Sequence, residues 1–263
     1  MFDRDPLLDV AGLLGVADAA ASARAALDPL LLDRRLRTHG SALAAEAAIL
    51  NAHASATLEG AEVPLDELRQ RAASSPILRV AAGVLDAQTS LRGMRGLPAR
   101  QIWASLAVIA GAEYPVERGR PRRAGEALHD PLHLGIERDP EDVAVRLAML
   151  AELLTQSTKA PALVVAALAH GELLALQPFG AGNGVIARAF FHHVLAERGL
   201  DPDYFAMTDM GLVSLGRAAY VRAVRGYDEG TAEGVAAWCV HMFTAFERGA
   251  LLTRQTLDVL AAK

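Results

Sequence analysis

The stretch "LQPFGAGNGVIAR", residues 176–188, packs three glycines and an asparagine between an apolar run and a fresh helical pattern. Glycine-dense loops that open helices hold anions, because their bare backbone N–H groups converge on one point. The run before it, "PALVVAALAHGELLALQP", is about fifteen residues of core-helix composition, short of the roughly twenty that a membrane span needs. The loop therefore joins helix to helix. A dinucleotide-binding reading of Gly180, Gly182 and Gly184 loses the strand it requires, although Asp201 and Asp203 follow about twenty residues on. A P-loop reading fails too, since no Gly-Lys-Ser/Thr follows. What remains is a helix starting at Asn183 or Gly184 whose N–H groups point back into a tight loop. That is an anion site in outline, yet the loop holds no histidine, carboxylate or lysine to act on a bound group.

The rest of the chain is helical in character. Alanine and leucine dominate, aromatics are few, and apolar residues recur at three and four residue spacing. The pattern predicts helices near 7–35, 41–58, 64–73, 76–91, 98–112, 140–157, 161–175, 184–198, 211–225 and 230–261. One long segment breaks it, 114–139, rich in Pro, Gly and Arg; ordered loops of that length are often functional. Within it "HLGIER", residues 133–138, could supply half of a short β-hairpin. The expected fold class is mostly α, with at most a small hairpin flap and additional N-terminal helices.

Bulk properties narrow the partners. The 263 residues can bury a large core, and a net charge of −5 gives no field for nucleic acid or a membrane surface. The basic run Arg118, Arg120, Arg122 and Arg123 reads as a solvated loop. A single cysteine, Cys239, excludes an internal disulfide framework and a cysteine-rich zinc site, and it fits a reducing compartment. The opening "MFDRDPLLDV" carries charges where a secretory signal needs an apolar run, so the expected location is cytoplasmic.

The loop and its flanks resemble the Fic (Fido) family, whose motif runs His-Pro-Phe-x-Asp/Glu-Gly-Asn-Gly-Arg-x-x-Arg after a helix containing Ala-His. Pro178, Phe179, Gly182, Asn183, Gly184 and Arg188 match the motif, and His170 sits where the preceding helix has its histidine. Downstream, "AAYVRAVRGYDEGTAEGVAAWCVHMF" is similar to the family's last helices, with Tyr220 and Trp238 as aromatic anchors. The likeness runs from about residue 40 to about residue 250. It suggests an N-terminal helical region over 1–95 and a Fic-like core over 96–263.

Upstream, "SATLEG" resembles the family's inhibitory signature, with Ser55, Glu59 and Gly60 as its fixed residues. Glu59 would close an apolar helix that Gly60 ends, and a carboxylate there faces the negative end of the helix dipole. Such a placement asks for a cation from elsewhere. The resemblance implies Arg188, giving a Glu59–Arg188 pair. In active members that glutamate makes ATP bind unproductively.

Three departures bear on chemistry. The family uses its motif histidine as the base in transferring AMP from ATP to a target hydroxyl; here that position is Gln177, and an amide has no basic site near neutral pH. The family's Mg²⁺-holding acid is Ala181, and a methyl group cannot ligate a hard cation. The first motif arginine is Val185. The expected function is thus a degenerate Fic-domain protein without AMP transfer, regulating by binding a nucleotide, another anion or a protein. ATP or another nucleotide is the expected ligand at Phe179, Gly182, Asn183, Gly184 and Arg188, and no metal is expected. A protein partner is expected along 114–139, and the apolar terminal helices leave a homo-oligomer open. The alternative is an enzyme with altered chemistry, adenylyltransferase or de-AMPylating hydrolase, using Glu59 as base.

Other candidates carry less. His170-x-Glu172 matches half of a zinc deaminase signature whose cysteine half cannot exist here. Adjacent His192 and His193 point about 100° apart on a helix, so they cannot share a metal as an i, i+4 pair does. His192, one turn from Arg188, could line the pocket, and a partly buried, hydrogen-bonded histidine is the commoner reading. Ser55 and Thr57 have no nucleophile context beyond capping and packing.

Overall fold

The computed structural model describes residues 5–72, 74–136 and 138–262. Its centre is a pair of helices, α8 (Ala162–Leu176) and α9 (Asn183–Glu197), joined by the glycine loop. From Leu173 to Ala196 every residue is buried, which is why both helices are apolar on nearly all faces. Around this hairpin pack α3 (Leu36–Leu58), α5 (Pro76–Ser90), α6 (Ala99–Ala110), α7 (Pro140–Thr155), α11 (Arg217–Asp228) and the 30-residue α12 (Ala232–Ala261). Helices α2 (Val16–Leu31) and α10 (Thr208–Leu215) lie along α12, α1 (Pro6–Ala11) rests on α8, and the short α4 (Leu65–Arg69) follows α3. One apolar cluster runs from Leu7 to Leu257 and includes residues from all of these helices. Aromatic anchors fix the hairpin: Trp103 meets Phe190 edge-on at 5.3 Å, and Trp238 Nε1 donates to the Ala167 carbonyl at 2.7 Å.

The helix pattern read from spacing is largely present, with three differences. The run expected over 7–35 is two helices, because Gly15 turns left-handed (φ 76°) ahead of Val16. The run expected over 211–225 breaks at Gly216 (φ 92°) into α10 and α11, a backbone state that glycine takes without penalty. The half-hairpin expected at "HLGIER" is absent among the described residues, where no strand occurs. His133 (φ 53°) and Gly135 (φ 67°) are both left-handed, which interrupts the extended backbone a strand needs. Glu137 of that stretch lies outside the described residues.

Candidate functional site

The loop is built by its own side chains. Helix α8 ends where Gln177 turns left-handed (φ 42°, ψ 58°), a state that costs a non-glycine residue about 1–2 kcal/mol. Pro178 then prevents the helix from resuming. Asn183 staples the turn, accepting from Phe179 N–H at 2.9 Å and donating to the Phe179 carbonyl at 2.7 Å. Gly182 (φ 75°) forms the N-cap of α9, and its carbonyl takes the helix's opening hydrogen bond from Ile186 at 2.9 Å. These contacts account for Phe179, Gly182 and Asn183 as framework.

The loop is also covered. Arg122 N–H donates to the Pro178 carbonyl and His129 N–H to the Gly180 carbonyl, each at 2.8 Å. The Arg122 guanidinium reaches the Gln177 carbonyl at 3.1 Å and the Arg138 carbonyl at 3.3 Å. Val116 and the Ala127 carbonyl lie against Gly180. Residues 177–184 are therefore all buried. Arg122 departs from the solvated reading of the basic run, because its neighbours in space, unlike its neighbours in sequence, are bare carbonyls. Arg120 instead pairs with Glu126 and stays near the surface.

At the far end of the loop stands one buried ion pair. Helix α3 closes with Gly60 N–H on the Thr57 carbonyl (3.0 Å) and Ala61 N–H on the Ala56 carbonyl (2.8 Å), a Schellman cap that leaves Glu59 at the terminus. Arg188 Nη2 donates to Glu59 Oε1 at 2.6 Å, and the two side chains are 0% and 4% exposed. Ser55, one turn back, accepts from Arg188 Nε at 2.7 Å. Burial works against the charged guanidinium, but Glu59, Tyr220 and Asp209 together raise its pKa above the usual arginine range. The Glu59 carboxylate lies so close to the Gly184 Cα that any side chain there would collide with it. Arg188 Nη1, also beside Gly184, has no partner among the described residues.

The pair terminates a longer buried seam that sequence reading did not anticipate as a unit. Asn51, Ser55 and Glu59 fall at four-residue spacing on α3, and Arg188 and His192 do so on α9. His192 Nε2 meets Asp209 Oδ1 at 3.2 Å, Gln88 Nε2 donates to Asp209 Oδ2 at 3.1 Å, and Asp209 N–H donates to Asn51 Oδ1 at 3.1 Å. His192 is thus hydrogen-bonded as expected, and fully rather than partly buried. His170 sits among Phe191, Tyr220 and Trp238, its Nε2 2.6 Å from the Tyr220 hydroxyl, and burial holds its pKa well below the ordinary histidine value.

Every site residue read from sequence lies on this one axis, from Gln177 through Phe179, Gly182, Asn183 and Gly184 to Arg188, with Ser55, Glu59 and Gly60 closing it. Gln177 is 3% exposed and its Oε1 has no partner among the described residues. Residues 112–195, which hold the covering segment, the loop and most of α9, match the Fic/DOC family model. This chain carries a Fic domain. Solved Fic proteins share its fold well beyond that segment. A Fic family protein from Desulfovibrio desulfuricans G20 has a TM-score of 0.70 at 16% identity, covering 92% of this chain and 74% of that one. A Fic-1 fragment from C. elegans has a TM-score of 0.68 at 17% identity, covering 92% and 73%. A Fic-domain signaling protein from Bacteroides thetaiotaomicron has a TM-score of 0.59 at 14% identity, covering 93% and 97%. At these identities the likeness is one of fold. None of the curated proteins matches this chain in sequence. No described helix of this Fic-domain chain is long and apolar enough to cross a membrane.

Proposed function

We propose that this Fic-domain chain is a regulatory binding protein without AMP-transfer chemistry, whose anion cradle is filled by its own Glu59. The observation that carries this reading is the 2.6 Å Glu59–Arg188 pair pressed against Gly184 at the N-terminus of α9. A carboxylate there takes the place that the helix N-terminus and the buried guanidinium would offer to a phosphate.

The reactive end supports the same conclusion. Gln177 supplies no base, a loss that typically lowers rate by about 10² to 10⁴. Ala181 offers no oxygen to a divalent cation, which forgoes several kcal/mol of charge stabilisation. The residues present do not fit Mg²⁺-bound ATP, and Val116 and the Ala127 carbonyl lie against the loop at Gly180. Glu59 as a general base is disfavoured, since its Oε1 is already held by a guanidinium. A protein partner is proposed for the outward side of the 114–139 segment, whose inward N–H groups at Arg122 and His129 are used within the chain.

The test is incubation of the purified chain with labelled ATP and Mg²⁺, alone and as Glu59→Gly. Neither protein is expected to label itself or an added protein mixture. Labelling of Glu59→Gly that disappears on Gln177→Ala would overturn the proposal.

A further inference from the structure

Between α6, α7 and residues 119–121 of the covering segment lies a cavity of 340 Å³. This is within the roughly 300–1,000 Å³ range of small-molecule sites. Arg100, Trp103 and Ala104 fall at three and four residue spacing on one face of α6 and form one wall. Leu147 and Ala148 on α7 and Phe179 of the loop add an apolar lining. Small residues and a surface arginine alone would mean only imperfect packing. What distinguishes the cavity is Trp103.

Trp103 is 1% exposed, and its Nε1 has no hydrogen-bond partner among the described residues. An indole N–H can only donate. Folding has therefore taken a donor out of water without giving it an acceptor, and the desolvation of that group goes uncompensated. The other polar side chains lining the cavity, Arg100 and Arg120, are likewise donors only, and no described carboxylate, amide or hydroxyl side chain lines it. The missing partner is an acceptor from outside the chain.

The two guanidiniums differ. Arg120 is held by Glu126 through Nη1 at 2.9 Å and Nη2 at 2.5 Å, so its charge is met. Arg100 is exposed and pairs with no described residue. It stands in the first turn of α6, which holds no acidic residue and whose cap makes no side-chain hydrogen bond. A cation at the positive end of a helix dipole favours an anion beside it. A buried donor and an unmet cation, one turn apart on the same face and bordered by apolar walls, suit a single carboxylate on an apolar body.

We propose that this cavity binds a compact apolar monocarboxylic acid in its ionised form. One carboxylate oxygen accepts from Trp103 Nε1–H, the other pairs with the Arg100 guanidinium, and the body of the acid lies against Leu147, Ala148 and Phe179. Gln177, Glu59 and Arg188 take no part, so this site and the reading of the loop stand or fall separately.

Calorimetry on the full chain with cyclohexanecarboxylate and with cyclohexylmethanol, its uncharged counterpart, tests this. The carboxylate is expected to bind with a Kd below about 1 mM, and the alcohol at least about tenfold more weakly. Arg100→Met, at an exposed position, is expected to weaken carboxylate binding by at least about tenfold. Trp103 is one of two tryptophans, so its indole N–H resonance, assigned with Trp103→Phe, can be followed by NMR; it is expected to shift on adding the carboxylate while that of Trp238 stays. No saturable heat from the carboxylate would overturn the proposal, as would equal binding of the alcohol, undiminished binding by Arg100→Met, or binding that leaves the Trp103 resonance in place.

Discussion

The two ends of the loop have opposite fates. At one end Gln177, Ala181 and Val185 stand where proton transfer, metal ligation and a phosphate contact would be needed, and all three are buried neutral side chains. At the other, Arg188 is fully buried and keeps a charged partner in Glu59 and a neutral one in Ser55. Between them, Asn183 and Phe179 hold the turn by two short hydrogen bonds. Shape and charge balance are separable from reactivity, because they depend on different residues of the same thirteen-residue stretch.

If that division holds, the charged end should be the most sensitive to substitution. Arg188→Ala leaves Glu59 buried and unpaired, and removing one partner of such a pair costs about 3–5 kcal/mol; urea denaturation should show a loss of this size. Asn183→Ala removes both staple bonds and should cost about 1–3 kcal/mol by the same measurement. Gln177→Ala should cost less than either, because its side-chain carbonyl has no described partner and its loss opens only a small void. A ranking that placed Gln177 above Arg188 would break the comparison.

A smaller effect is expected from pH. Burial lowers the pKa of His170, of His193, and of His241, the last to about 4, against an ordinary value of 6.5. Below pH 6.5 the unfolded chain takes up protons that the folded chain refuses, so stability is present above that pH and falls as the pH drops toward 4. Thermal melts between pH 7 and pH 4 should show the melting temperature falling on acidification, and His241→Phe should reduce the slope.

Much of this was legible in the sequence where local chemistry decides. The glycine loop between two apolar helices, the Gly60 stop after Glu59, and the need of that carboxylate for a distant cation all follow from residue type and spacing. Features set by long-range placement were not. The seam through Gln88 and Asp209 joins residues 121 positions apart, and only its members Ser55, Glu59, Arg188 and His192 were singled out in advance. Arg122 was indistinguishable from its arginine neighbours, because the carbonyls that draw it inward belong to Gln177 and Arg138. The missing hairpin turned on two left-handed residues, His133 and Gly135, and histidine gives no local warning of that conformation.

The claim that Glu59 fills the anion cradle is tested most directly by titrating ATP into the native chain and into Glu59→Gly by calorimetry, without metal. The native chain is expected to give no saturable heat up to about 1 mM, and the variant to bind ATP measurably. Native binding below about 10 μM, unaffected by loss of the glutamate, would contradict the account.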